Sequence, residues 1–153
     1  MKLAKYTVVF LIINFGALAI GTWLMADGPQ KPWYLNLNKA PWTPPGWVFG
    51  AAWSTIMLCF SIYMAYLYQL LPTPRILGLF GVQFVLNVGW NYVFFNQHLI
   101  GVGLVVITGL TSIIAFFLND YRKQMGYKTL LILPYLIWLC IASSLNMYIL
   151  IHN

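Results

Sequence analysis

Charge is what this chain lacks. Of its 153 residues only two are acidic, Asp27 and Asp120, and eight are basic, so 7% are charged where a soluble domain carries roughly a quarter. No Asp, Glu, Lys or Arg occurs over residues 40–74, 76–119 or 129–153. That distribution excludes a soluble globular fold. With the two histidines, His98 and His152, at a predicted hairpin tip and the penultimate position, it also excludes acid–base chemistry within the apolar segments, and with it hydrolases, proton pumps and retinal-binding lysines. Cysteine is scarce as well: Cys59 and Cys140 fall on different predicted helices without CxxC spacing and read as small apolar packing residues. Together with His98 and His152 they show no ligand spacing, so no metal is expected. A phosphate-binding loop and a dinucleotide fingerprint are also missing.

What fills the chain instead is apolar: 61% of residues are hydrophobic and the mean hydropathy is +0.80. Five uncharged segments, 6–26, 47–71, 76–96, 99–119 and 130–151, reach the ~20 residues needed to cross a bilayer as a helix. The expected fold is all-α and integral to the membrane: one domain over residues 1–153, a five-transmembrane-helix bundle. Lys2 and Lys5 before an apolar run, with Ala17-Leu18-Ala19 beyond it, also fit a cleaved signal peptide. Apolar character continues through Ile20, Trp23 and Leu24, however, past the usual 7–15 residues or so, and Asn14 interrupts its middle, which favours a retained helix. The net charge of +6 is scattered over the connections rather than arranged in a stripe, so no nucleic-acid partner is expected. Lys2, Lys5, Arg75, Arg122, Lys123 and Lys128 fall on one side and Lys31 and Lys39 on the other. By the positive-inside rule the N-terminus is cytoplasmic and the C-terminus outside.

Between the second and third segments, and between the third and fourth, the connections are short enough for tight antiparallel hairpins. The first loop, residues 27–46, is long and carries five of the eight prolines with Trp33, Tyr34 and Trp42. Loops of that length are usually functional or disordered, and these aromatics argue against disorder. It ends in a rigid aromatic turn, Trp42-Thr43-Pro44-Pro45-Gly46-Trp47, with Trp53 six residues on, and can roof a pocket. Thr43 is expected to cap the second helix with Pro44 at its first position, a short helical turn is expected near residues 33–37, and Pro134 is expected to kink the last helix.

Polar residues in the segments are amides on regular spacings. Gln83, Asn87 and Asn91 recur every four residues, and Trp90 and Phe94 lie three beyond the two asparagines. One helical face therefore carries an amide stripe with aromatic flanks. Tyr135, Trp138, Ala142 and Asn146 share a face of the last helix, and Asn14, Ala17 and Gly21 form a slim face on the first. Hydrogen bonding between helices and ligand binding both explain the amides, and the two are compatible. Trp23, Trp33, Trp47 and Tyr148 read as anchors at the membrane interface. Gly78, Gly81, Gly89, Gly101 and Gly109 offer small-residue surfaces for a homodimer, without a strict GxxxG pair.

These residues resemble the TspO/MBR family, the tryptophan-rich sensory proteins and mitochondrial translocator (peripheral benzodiazepine receptor) proteins. The likeness covers nearly the whole chain. It rests on Trp33-Tyr34 followed by Leu37, Lys39, the Trp42–Trp47 turn and Trp53; on Leu86-Asn87 with Trp90 and Phe94-Phe95; and on Pro134-Tyr135 with Trp138, Ala142 and Leu145-Asn146. The resemblance implies a five-helix bundle whose first loop closes a pocket for porphyrins and, in many members, isoquinoline carboxamide or benzodiazepine drugs. It implies ligand contacts at Tyr34, Trp42, Trp53, Asn87, Trp90, Asn91, Phe94, Trp138 and Ala142, to which the shared face adds Tyr135. Protoporphyrin IX or haem is then a ligand and no obligatory cofactor is expected. Some bacterial relatives degrade protoporphyrin IX in light and oxygen, with the tryptophans matching Trp53 and Trp138 implicated, so these two are the candidate catalytic residues. A bacterial-type member implies the bacterial cell membrane. Three positions depart from the pattern: Ala51-Ala52 replaces a common proline, Met57 a common tyrosine, and His152 the basic end of a cholesterol-recognition pattern.

Three functions compete at this point. A receptor or sensor of tetrapyrroles, able to promote their oxidative breakdown, suits an aromatic-walled site with a few amides. A transporter of tetrapyrroles or other small amphiphiles lacks an intramembrane charge for coupling. A purely structural partner protein needs no ligand at all.

Overall fold

Where water is absent every backbone N–H needs a carbonyl within its own segment, and the uncharged stretches of this chain meet that need as helices. The computed structural model describes residues 1–153 and contains α1 (Lys2–Met25), α2 (Pro32–Leu35), α3 (Gly46–Leu70), α4 (Pro74–Asn91), α5 (Ile100–Met125) and α6 (Leu133–His152). Four helical stretches are long and apolar enough to cross a membrane: Lys2–Met25, Gly46–Leu70, Pro74–Asn96 and Ile100–His152. The last holds α5, a 3₁₀ connection over Gly126–Ile132, and α6. It turns at Gly126, where φ is +56°, and α5 then packs against α6.

The helices are apolar all round because both faces are dry. Val8, Ile12, Val85, Val105 and Ile137 point outward, while the inward faces build an aromatic core. Phe60 on α3 lies edge-on to Phe117 of α5 and Tyr135 of α6, with centroids at 6.1 and 5.1 Å, and stacks on Phe80 of α4 at 6.0 Å. Such pairs add about 0.5–1.5 kcal/mol each beyond the area they bury. The slim face of α1 packs inward: Asn14, Ala17 and Gly21 are buried, and Asn14 Nδ2 donates to Ser61 Oγ at 2.8 Å. At Gly21 a Cβ would stand 2.7 Å from Asn91 Nδ2, so glycine lets α4 come close.

Several local expectations need correction. Thr43 does not cap α3: its hydroxyl donates to Ala40 O at 2.7 Å, and the helix starts at Gly46 with Pro45 at the cap. The consecutive prolines hold the backbone before them extended, which moves the helix start beyond Thr43. Pro134 does not kink the last helix, because it occupies the first turn of α6, where its missing N–H leaves no bond unmade. The segment expected to end at residue 119 continues as helix to Met125, with Arg122 and Lys123 in its last turn, where cations favour a helix C-terminus. The helical turn expected near residues 33–37 is α2.

After α4 the backbone opens into a π-turn, Tyr92–Asn96, and His98 follows with φ +57°. This wider turn leaves two successive aromatics, Phe94 and Phe95, both buried. They form a second, smaller core with Ile149, against which Trp33, Tyr34 and Leu37 of the first loop pack. Gly28 allows that approach, since a Cβ there would lie 2.6 Å from the Phe95 Cβ and 3.1 Å from its carbonyl oxygen.

A candidate ligand cavity under the first loop

The first loop is held down by aromatic and polar contacts. Trp33 stacks on His98 at 3.9 Å, and Tyr34 meets Phe95 edge-on at 5.3 Å. Trp42 lies edge-on to Tyr148 at 5.4 Å and donates from Nε1 to Ser144 Oγ at 3.1 Å. Asn38 N donates to Asn153 Oδ1 at 2.9 Å, Asn153 Nδ2 to Asn38 O at 3.2 Å, and Asn38 Nδ2 to His152 O at 3.1 Å. The loop thereby reaches from the end of α1 to the last residues of α6.

Beneath it lies a cavity of ≈ 320 Å³, at the lower end of the usual range for small-molecule sites. Its walls come from the end of α1 (Met25), the loop (Pro29, Tyr34, Lys39, Thr43, Pro44), α3 (Gly46, Phe49, Trp53), the end of α4 (Trp90, Asn91), the π-turn (Phe95) and α6 (Trp138, Ala142). Six of the ten ligand contacts expected from sequence converge on it: Tyr34, Trp53, Trp90, Asn91, Trp138 and Ala142. The other four stand elsewhere. Trp42 is exposed and tied to Ser144, and Phe94 is buried behind Trp90, stacked on it at 5.1 Å. Asn87 and Tyr135 are buried in the bundle, where Asn87 Nδ2 donates to Tyr135 Oη at 3.1 Å and Tyr135 Oη donates to Gln83 Oε1 at 2.9 Å. The amide stripe thus splits by depth. Gln83 and Asn87 bind helix to helix, and only Asn91 reaches the cavity, with its Nδ2 held by Asn87 O at 3.1 Å.

Lys39, Phe49 and Phe95 line the cavity without having been singled out from sequence as ligand contacts. Phe49 was accessible to the same periodicity argument, since it precedes Trp53 by one helical turn. Lys39 is the one charged residue of the wall. Its Nζ donates to Leu35 O at 3.0 Å and lies 4.8 Å from the centre of the Tyr34 ring, a cation–π contact that keeps it beside the cavity with donors to spare. Burial raises the Tyr34 pKa above its ordinary value, so the phenol beside Lys39 is protonated at neutral pH.

The indole groups differ in what holds them. Trp90 Nε1 donates to Asn146 Oδ1 at 3.1 Å, and Asn146 Nδ2 in turn donates to Ile100 O at 3.0 Å. Trp138 Nε1 is buried without any partner. Its ring is kept in place by edge-on packing against Phe49 at 5.3 Å. Trp53 lies edge-on to Tyr135 at 6.0 Å. The walls therefore supply flat aromatic surface and one cation, with no carboxylate or imidazole. Such a site suits a flat, largely apolar molecule bearing an anionic group.

The chain is 32% identical to a tryptophan-rich sensory protein of Cereibacter sphaeroides over 114 residues, covering 74% of this chain and 72% of the relative. It is 32% identical to the tryptophan-rich protein TspO of Archaeoglobus fulgidus over 155 residues, spanning 100% of this chain and 97% of the relative. It is 30% identical to the human translocator protein over 127 residues, 78% of this chain and 73% of that one. With the TspO/MBR family model also matching residues 8–152, the chain belongs to the TspO/MBR family.

Proposed function

We propose that this integral membrane protein is a receptor for tetrapyrroles, binding protoporphyrin IX or a haem-related macrocycle in the cavity under the first loop. The observation that carries the reading is the make-up of the cavity wall: Trp53, Trp90, Trp138, Phe49 and Phe95 offer ring faces and edges, and Lys39 alone is charged. A porphyrin presents a flat apolar ring and carboxylate arms, and Lys39 answers the carboxylate. Because the cavity is small for a macrocycle, side chains of its wall have to turn aside as the ligand seats. In this reading the bundle spans the bilayer five times, with α5 and α6 as separate crossings. Six cations against two support an N-terminus in the cytoplasm and a C-terminus outside, in what this reading takes as a bacterial cell membrane. A C-terminal reporter active only in the cytoplasm would contradict that orientation.

The same wall supports a photochemical role. Bound porphyrin absorbs light and takes one electron from an indole at Trp53 or Trp138; the reduced ring passes an electron to dioxygen, the oxidised indole recovers its electron from the ring, and the ring cation combines with superoxide, so both oxygen atoms add to the opening macrocycle with no net change at the indole. Acid–base groups are not needed for the electron transfer, in keeping with a wall that contains neither carboxylate nor imidazole.

Lys39 provides the test of the binding reading. In Lys39→Gln, protoporphyrin IX is expected to bind about tenfold more weakly, the loss of one charge-assisted contact. Its dimethyl ester is expected to bind wild type and variant alike. An equal loss for acid and ester, or no loss for either, would remove Lys39 from the site.

A further inference from the structure

A second concavity, of ≈ 330 Å³, lies on the outer surface between α3 and α6. Ala51 and Thr55 of α3 and Ile137 and Ile141 of α6 form its exposed rim, and Trp138 is part of its lining. Trp138 also lines the inner cavity, so one indole belongs to both. The outer groove sits within two stretches long and apolar enough to cross a membrane, and its lining is almost wholly apolar, so lipid tails face it.

Two further observations bear on how a ligand gets in. From the polar side the inner cavity is roofed by the first loop, which Asn38, Asn153 and the Trp42–Ser144 pair fasten to α6 with four hydrogen bonds of 2.9–3.2 Å. From the lipid side the separating ring has no such fastening: Trp138 Nε1 makes no hydrogen bond, and only packing holds the indole. Turning the ring breaks no polar contact, whereas lifting the loop breaks several. On the outer rim, Ala51 has only a methyl group where a larger side chain would narrow the groove.

We propose that the groove between α3 and α6 is the entrance by which a flat apolar ligand dissolved in the bilayer reaches the cavity, with the Trp138 ring as its gate. The inference rests on the reading of the inner cavity as the ligand site and assigns its route of access. A ligand that partitions into the membrane is concentrated where this groove opens and never has to cross the polar loop.

Blocking an entrance changes rates without changing the end states. Ala51 and Thr55 do not line the inner cavity, so a bulky residue at either leaves the bound complex as it was and raises only the barrier to reach it. Protoporphyrin IX exchange is followed by stopped-flow tryptophan quenching with the protein in lipid nanodiscs. In Ala51→Phe, and independently in Thr55→Phe should the first fold poorly, association and dissociation are both expected to slow by a common factor of about ten or more, with Kd unchanged. Asn153→Ala, which releases two of the loop's hydrogen bonds, is expected to leave both rates as in wild type. Wild-type rates in both groove variants, or acceleration by Asn153→Ala alone, would overturn the entrance and place access at the loop. A Kd that shifts with the groove variants while the association rate holds would also overturn it, because the groove would then be part of the site. A wild type that never saturates with porphyrin would instead overturn the binding reading, and the entrance with it.

Discussion

Replacing Trp53 and Trp138 together by Phe is expected to leave protoporphyrin IX bound while reducing its light-driven breakdown to the rate of the free pigment. Both side chains line the cavity, and a phenyl ring preserves an aromatic wall. Affinity should therefore change by no more than about tenfold, roughly 1.4 kcal/mol. The local packing favours a clean experiment. Trp138 Nε1 has no partner, so its replacement orphans no acceptor; at Trp90 the same exchange would strand Asn146 Oδ1. Phenyl is a far poorer electron donor than indole, so the rate should fall where the affinity does not. Illumination in air and under nitrogen, at matched occupancy, separates the two quantities. Equal rates in wild type and double variant would remove the photochemical role and leave a binding protein.

The second large effect concerns stability. Tyr135 is fully buried and its hydroxyl joins Asn87 to Gln83, at 3.1 and 2.9 Å. Tyr135→Phe removes both bonds and strands an amide donor and an amide acceptor in the dry core. At roughly 0.6–2 kcal/mol for each interhelical bond, the expected loss is about 1–4 kcal/mol. Asn87→Leu should cost less, since it removes the donor together with the group that would be stranded. The pair should be strongly non-additive because they share a bond. Unfolding in mixed micelles measures these differences. Wild-type stability in Tyr135→Phe would mean that the amides find other partners, against the network seen here.

Asn87 and Tyr135 also show how far a sequence of this kind can be read. Spacing places Gln83, Asn87 and Asn91 on one face and points that face inward, and the buried positions of Gln83 and Asn87 agree. Periodicity carries no information about depth along the helix, however. Whether an inward amide meets another helix or an open cavity depends on where the neighbours end. The π-turn at Tyr92–Asn96 compounds this: it breaks the α-helical register, so Phe94 falls behind Trp90 and Phe95 comes to the wall. The prolines and tryptophans of the first loop mark it out in the sequence, but its fastening does not show there. The bonds from Asn38 to Asn153 join residues 115 apart in sequence, and no local pattern marks them. Lys39 was visible as a topological charge; its place beside the cavity follows from the Tyr34 ring and the Leu35 carbonyl, which only the folded loop brings to it.

The central claim is that this cavity holds a tetrapyrrole. It is tested most directly by titrating purified wild type and a Trp53→Ala/Trp138→Ala variant with protoporphyrin IX while following the quenching of the remaining tryptophans, with Trp47→Ala as a control at a 75% exposed indole outside the cavity. The expected result is saturable one-site quenching in wild type and the control, and a loss of affinity of about a hundredfold in the variant, as removal of two ring walls worth on the order of 1.4 kcal/mol each requires. Quenching that rises without saturation, or saturates equally in all three proteins, would contradict the account.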